Sequence, residues 1–397
     1  MKILFIMKPY KVAPLGIMYI SSALKKAGHE TKSAIGMKEA KHCVQKWEPD
    51  FVCYSVLTGD QDYWKKFSDD LKQYGNYKTV FGGNHVTFFP QDFEGELIVR
   101  GEGERALLDI INGHRINEIN YISDIDTLSF PDRTLIKEGT IKHFIASRGC
   151  PYKCTYCYNE KWAQLHGRKR VRTRSVDNVI TEIKEVNPEF VYFQDDTFGL
   201  NINWLEEFAE KYPKIPFHCH VRAEIVTPRY VDALEKAGCY SVHIALETEN
   251  TELLDILGRK PAPIWSACKR LKDAGIKIML QNIIGIPTGD IFMDMFTLEE
   301  NMEIKPDYSW VSIYQPYPGT VLGDECISKG WAKPSDIKAS FFEETCLSCF
   351  DDKYKAQLKV LQKTWASLVD GHYDPILDTL YNNMRKEGDQ RLYGFNP

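Results

Sequence analysis

The chain has 397 residues and a 43% apolar content, enough for two domains with filled cores. Acidic side chains (55) outnumber basic ones (50), and the net charge of −5 excludes broad electrostatic binding to nucleic acid, because there is no basic excess to release counterions. No apolar run reaches the roughly 18 residues that cross a bilayer, so no membrane span or export signal is expected, and eleven cysteines, an odd number, fit a reducing cytosol better than a disulfide framework.

Lys2 to Ile6 reads as a buried strand, and residues 15 to 27 have helical spacing that ends at Ala27-Gly28. Further strands are expected near Glu30 to Ala34, at Phe51 to Ser55 and at Lys78 to Phe81. Apolar strands alternating with helices predict an α/β domain over residues 1–120, a Rossmann-like, doubly wound parallel sheet with ligands at the carboxyl ends of its strands. Small residues collect at those ends: Ser55-Val56-Leu57-Thr58-Gly59 follows one strand and Gly82-Gly83-Asn84-His85 another. Together they offer close-approach backbone and hydroxyls on one rim. Either turn alone is also what such a sheet makes with no ligand, and His85 alone is also an ordinary hydrogen-bonded histidine.

Residues 121–140, with Pro131, Gly139 and scattered acids, read as a linker. A short apolar strand, Ile141 to Ala146, then leads into Cys150, Cys154 and Cys157, a C-x3-C-x2-C run. Three thiolates from one loop are one too few for a closed metal site. A four-iron cluster is usually held by four cysteines, so this loop would leave one iron open to a second molecule. Zinc is the other reading, with Cys154 and Cys157 as one half of a ribbon and Cys346 and Cys349 as the other. It leaves Cys150 without a role, and the two pairs lie far beyond a ribbon's spacing. The basic run Arg168 to Arg174 reads as a solvated face, or as a face for an anionic substrate or an acidic electron donor, and it leads into a helix that Ser175 can cap.

The alternation of strand and helix resumes at Glu189 to Phe193, which ends in Gln194-Asp195-Asp196-Thr197-Phe198. Two adjacent carboxylates at a strand's carboxyl end are costly unless they meet a cation or water, and either one alone also reads as the cap of the next helix. Phe217 to Arg222, Tyr240 to Thr248 and Gly275 to Pro287 are the next strands, the last with a tight exit at Gly285-Ile286-Pro287. Tyr308, Trp310, Tyr314 and Tyr317 form an aromatic set near the final strand, suited to core packing or to a substrate cavity. Helical spacing through Tyr354 to Val369 predicts a small helical segment over residues 331–397, and Cys346 and Cys349 are expected as free thiols.

The cysteine run in its setting resembles the radical S-adenosylmethionine (SAM) enzymes. Pro14-Leu15-Gly16, the Ser55 and Gly82 turns and Val99-Arg100-Gly101-Glu102-Gly103-Glu104 resemble the cobalamin-binding domain that precedes the barrel in one large subfamily of them. Tyr314-Gln315-Pro316-Tyr317-Pro318-Gly319-Thr320 is similar to that subfamily's last barrel strand end. The resemblance implies a partial (β/α)6 barrel over residues 141–330, a [4Fe-4S] cluster on Cys150, Cys154 and Cys157, and S-adenosylmethionine chelating the open iron. Cleavage of that cofactor by one electron would yield a 5′-deoxyadenosyl radical. It also places Tyr156 against adenine, Asp195 and Asp196 near the methionine ammonium, Arg222 near the cofactor carboxylate, Glu247 at the ribose or amino group, and Gly285 and Pro287 under the adenine. Ser55, Leu57, Thr58, Gly82, Gly83 and His85 would flank the nucleotide tail of cobalamin. There is no D-x-H-x2-G loop, so the implied cobalamin is base-off, without a protein histidine on cobalt. The family's usual G-x-P-G-E-T exit is Gly285-Ile286-Pro287-Thr288-Gly289-Asp290 here, and no role for Asp290 follows.

The activity implied is a cobalamin-dependent methyltransferase acting on an unreactive carbon of a small-molecule substrate, supplied with electrons by a flavodoxin or ferredoxin type donor in the cytoplasm, with no nucleic acid partner. Ring closure, rearrangement or carbon–carbon coupling with the same cofactors is the second expectation. A non-catalytic zinc protein is the third.

Overall fold

Short strands buried on both faces, each followed by a helix with one apolar side, build two parallel sheets. The computed structural model describes residues 1–10, 12–114, 118–167, 171–337 and 341–369. The chain divides into two units, one built on Met1–Gly139 and the second beginning at Thr140.

In the first unit, strands β1 (Lys2–Met7), β2 (Glu30–Ile35), β3 (Phe51–Ser55), β4 (Lys78–Gly82) and β5 (Leu97–Ile98) pair in the order β2-β1-β3-β4-β5, every pair parallel. Helices α1 (Leu15–Lys26), α2 (Gly36–Trp47), α3 (Gln61–Lys72), α4 (Asn84–Phe88) and α5 (Gly103–Ile111) connect them. Leu4, Ile6, Val52, Tyr54 and Phe81 from the sheet bury against Ala40, Val44, Trp64, Phe67 and Leu71 from α2 and α3. The strand order reverses between β1 and β3, which opens a crevice for ligands at their carboxyl ends. The stretch read as a linker is packed here: Asp132 accepts from Ser21 Oγ at 2.6 Å and pairs with Lys25 at 2.7 Å, and Leu135 O accepts from Ser33 Oγ at 2.6 Å.

The second unit opens with β6 (Ile141–Phe144) and a small antiparallel ladder of β7 (Ser147–Arg148) and β8 (Arg172–Thr173). It continues through β9 (Phe190–Phe193), β10 (Phe217–Val221), β11 (Cys239–Glu247), β12 (Lys277–Ile284) and β13 (Tyr308–Ile313). The main sheet runs β13-β12-β11-β10-β9-β6, six parallel strands in sequence order. Its helices are α6 (Tyr158–His166), α7 (Val176–Val186), α8 (Ile202–Lys211), α9 (Pro228–Ala237), α10 (Thr251–Ile256), α11 (Ile264–Asp273), α12 (Ile291–Ile304), α13 (Val321–Ser328) and α14 (Asp352–Leu368).

Period-2 alternation sorts the strands. Phe144, Val191, Phe193, Phe217, Cys219, Val242, Ile244, Ile278 and Leu280 pack outward against the helices. His143, Tyr192, His218, His220, His243 and Trp310 occupy the other face. The sheet curls around that face, since Trp310 on β13 reaches His243 on β11 across the strand between them. This is the open, barrel-like parallel sheet that the sequence predicts.

Two local expectations change. Arg168 to Arg170 lie outside the described residues, but the end of the basic run is no solvated face. Arg174 is buried, with Nη1 2.6 Å from Glu182 Oε2 and 2.9 Å from Ile145 O. Ser175 does cap α7, whereas α8 is capped by Asn201 and not by Asp195 or Asp196. The helical tail exists as α14, where Tyr354, Leu358 and Trp365 pack with Ile284, Ile286 and Ile313; the rest of the tail, from residue 370, lies outside the described residues.

Candidate functional site

Cys150, Cys154 and Cys157 sit on the loop between β7 and α6, at the carboxyl edge of the six-stranded sheet. Thr155 pins the loop at three points: its N–H donates to Leu257 O at 3.0 Å, its hydroxyl donates to Ile256 O at 2.6 Å, and its carbonyl accepts from Leu322 N at 2.9 Å. Asp195 holds the entry, accepting from Ala146 N at 2.9 Å and Ser147 Oγ at 2.5 Å, while Asp196 accepts from Asn159 Nδ2 at 3.0 Å beyond the third cysteine. The adjacent carboxylates therefore do different work: Asp195 is engaged by the backbone leading into the loop, and Asp196 lies next to the sulfurs.

Burial pushes the Cys150 thiol up to about 11 and the Cys157 thiol up to about 12, with the charge of Asp196 adding to both. Thiolates at these positions need a cation to form. Three sulfurs in a poorly hydrated loop are a soft donor set that fits an iron–sulfur cluster.

Beside the loop, β11 ends in a bulge that leaves Glu247 at φ 67, a left-handed conformation a glutamate rarely adopts. Its Oε1 accepts from Tyr156 Oη at 2.6 Å and Arg259 Nη1 at 3.0 Å, and Arg259 Nη2 also donates to Ala245 O at 3.0 Å. Oε2 is buried with no hydrogen-bond partner among the described residues. A backbone strained to present a buried, unsatisfied carboxylate oxygen marks a place for a hydrogen-bond donor from outside the chain. Arg222, directly after β10, lies over the Tyr152 ring at 3.7 Å, pairs with Glu224 at 2.5 Å and brings Nη1 to 3.5 Å from Cys154 Sγ.

Gly285 and Pro287 form the exit of β12 on the same edge of the sheet. Gly285 has φ 67, its N–H faces both oxygens of Asp294 at 3.4 Å, and an added Cβ would lie 2.9 Å from Leu358 of α14. Tyr354 Oη donates to Asp294 Oδ2 at 2.7 Å, so the tail helix braces this turn. Burial raises both Asp195 and Asp294 to about 7. Asp290 accepts from Met293 N at 3.0 Å and caps α12, which explains the displaced acid in the exit motif.

In the first unit the two small-residue turns interlock. Val56 N donates to Gly82 O at 2.8 Å and His85 N donates to Val56 O at 3.1 Å. Gly83 has φ 97, and a Cβ there would stand 2.6 Å from Val56 O, so only glycine closes this contact. Ser55 is exposed at the rim, Leu57 half-buried and Thr58 buried. His85 Nδ1 lies 3.2 Å from Thr58 Oγ1 and Nε2 lies 3.0 Å from Asp92, and burial lowers the imidazole pKa despite that carboxylate. At the switch point after β1, Lys8 pairs with Asp60 at 2.6 Å and lies over the Tyr63 ring.

Sequence reasoning missed Arg259, Lys8, Asp294 and a trio of histidines. His218, His220 and His243 each bring a ring nitrogen within 4.8 Å of the other two on the concave face of the sheet. Burial depresses all three imidazoles, that of His220 to about 4. The strand run Phe217-His218-Cys219-His220 did carry a signal, two histidines at period 2, and His243 needed the register of β10 and β11 to join them.

Residues 1–111 match the B12 binding domain model and residues 144–296 match the Radical SAM superfamily model. The chain is 26% identical over 390 residues to an uncharacterized methyltransferase of Pyrococcus horikoshii, covering 83% of each. It is 22% identical over 359 residues to the hopanoid C-3 methylase of Methylococcus capsulatus, covering 78% of this chain and 68% of that one. Among solved structures, the fold is similar to the radical S-adenosylmethionine methyltransferase TsrM from Kitasatospora setae, solved with cobalamin and a [4Fe-4S] cluster, at a TM-score of 0.67 and 15% identity over 83% of this chain and 78% of that one. Among the described residues, no helix is long and apolar enough to cross a membrane.

Proposed function

This chain belongs to the radical S-adenosylmethionine enzymes that carry a cobalamin-binding domain, and from that premise we propose that it methylates an unactivated carbon of a small-molecule substrate. The observation that carries the reading is the buried, unpartnered Oε2 of Glu247, held beside a three-thiol loop by Tyr156 and Arg259. When bound, the cluster supplies the electron that splits S-adenosylmethionine, and cobalamin supplies the methyl carrier.

Cys150, Cys154 and Cys157 would hold the cluster. Glu247 would accept a hydrogen bond from the ribose or amino group of S-adenosylmethionine, and its fixed rotamer means little ordering is needed on binding. Arg222 would face the cofactor carboxylate, Asp196 the ammonium, and the Gly285–Pro287 turn the adenine, with Tyr156 against the same ring. Asp195 fits better as the residue that positions Ala146 and Ser147 at the loop entry. Ser55, Leu57, Thr58, Gly82, Gly83 and His85 would line the nucleotide tail of cobalamin.

A flavodoxin or ferredoxin type donor would deliver the electrons, and a cytoplasmic location fits eleven cysteines with no disulfide among the described residues. Domain limits of 1–120, 141–330 and 331–397, with 121–140 between the first two, remain part of the same proposal.

The test uses the anaerobically reconstituted full chain, a low-potential reductant and S-adenosylmethionine with a deuterated methyl group, with and without hydroxocobalamin. The expected products are 5′-deoxyadenosine in both cases and S-adenosylhomocysteine only with cobalamin. Formation of 5′-deoxyadenosine alone would point to radical chemistry without methyl transfer. Formation of neither would overturn the reading.

A further inference from the structure

We propose that His218, His220 and His243 form a second metal site, separate from the cysteine loop, that takes a borderline divalent cation, zinc foremost. His218 and His220 project from β10 and His243 from β11, and one ring nitrogen from each lies within 4.8 Å of the others. A tetrahedral ion bound at about 2.0–2.1 Å holds its nitrogens about 3.3 Å apart, so loading the site would draw the three rings together.

The surroundings are those of a ligand set. His218 Nδ1 lies 2.7 Å from Ser241 Oγ and His220 Nε2 lies 2.8 Å from Tyr192 Oη, so two of the three rings have their orientation fixed by a hydroxyl. At metal-bound imidazoles such second partners set the tautomer and aim the lone pair. His243 Nε2 accepts from Trp310 Nε1 at 3.4 Å and the ring also meets the Gln281 side chain, so this third ring is oriented as well. The rings of His220 and His243 have centroids 4.8 Å apart and planes at 70°, an edge-to-face approach that keeps their nitrogens from stacking.

Imidazole nitrogens suit zinc, copper, nickel and iron(II), whereas magnesium and calcium require oxygen, so the class is a borderline transition ion. Three histidines also leave one of four tetrahedral positions open, the arrangement of a reactive rather than a closed structural zinc site. Arg222 follows His220 by two residues, just past the end of β10, and Glu247 follows His243 by four on β11. At about 3.3 Å per residue, the ion would lie roughly 7–13 Å below the level of those two side chains.

The experiment loads the anaerobically reconstituted full chain with zinc sulfate, removes excess by gel filtration and measures zinc, iron and cobalt by mass spectrometry. The site predicts one zinc per chain in addition to the cluster iron, retained when Cys150, Cys154 and Cys157 are all replaced by alanine. His218→Gln with His243→Gln should lower the retained zinc at least tenfold while leaving iron content unchanged. X-ray absorption at the zinc edge of the wild-type chain gives a readout that does not depend on a variant folding, and nitrogen scatterers at about 2.0–2.1 Å without sulfur are expected. No retained zinc, zinc held by sulfur, or zinc unaffected by the histidine substitutions would each overturn the site. Failure of the cobalamin or methyl-transfer reading would leave this result untouched.

Discussion

Tyr156 Oη donates to Glu247 Oε1 at 2.6 Å, tying the residue before the third cysteine to the strained end of β11. One hydrogen bond thus fixes the cluster loop and the proposed cofactor contact in a single frame. Tyr156→Phe should keep the fold and the iron content but lose a bond to a charged acceptor worth about 1.5–3 kcal/mol, much of it felt when S-adenosylmethionine binds. Equilibrium binding of the cofactor to the reconstituted variant should weaken on the order of tenfold. Unchanged affinity would remove Tyr156 from the site.

Arg259 and Glu247 form a buried ion pair at 3.0 Å, both side chains 4% exposed. Arg259→Met strands a carboxylate in the interior and should cost about 3–5 kcal/mol, whereas the double change with Glu247→Met, which removes both charges, should recover a large part of that stability but none of the activity. Thermal unfolding of the two single variants and the double variant checks the coupling directly.

The two glycines of the B12-type turn should behave differently. Gly83→Ala forces a Cβ against Val56 O at 2.6 Å from a positive φ, while Gly82→Ala meets only Val99 at 3.5 Å. Substitution at Gly83 should abolish hydroxocobalamin uptake by the full chain and leave the iron content unaltered. Gly82→Ala should keep the fold and the iron and weaken hydroxocobalamin uptake less than the change at Gly83. The visible spectrum of the purified variants after gel filtration reports the outcome.

Asp195 and Asp294 each titrate near 7 in the folded chain because burial disfavours their charge, against 3.8 for an ordinary aspartate. Between those values the folded form keeps protons that the unfolded chain has released. Stability from these two groups therefore falls as pH rises from about 4 to about 7, the reverse of a salt-bridged carboxylate. Asp294→Asn should flatten part of that slope and be no less stable than wild type at pH 8. A melting temperature measured across the range tests it, and a slope of opposite sign in the variant-minus-wild-type difference would contradict it.

The parts of the molecule legible in the sequence are those set by local pattern. Apolar strands with small-residue exits located both sheets, and three cysteines inside one short loop located the sulfurs, because each signal lies within a dozen neighbouring residues. What stayed hidden depends on chain segments far apart. Arg259 sits in an unremarkable Gly258-Arg259-Lys260 stretch and gains meaning only when α10 brings it under Glu247. Asp294 looked like one more acid on a helix until Tyr354, sixty residues on, closed against it. Asp195 and Asp196 were visible as a pair, but the division between them follows from the turn that gives one to the backbone of Ala146 and the other to Asn159.

If the three thiolates leave one iron open for S-adenosylmethionine, electron paramagnetic resonance of the reduced, reconstituted chain reads that opening out. A cluster signal whose g values shift when S-adenosylmethionine is added is expected, and no such signal after Cys154→Ala. A signal indifferent to S-adenosylmethionine, or one that survives the loss of Cys154, would contradict it.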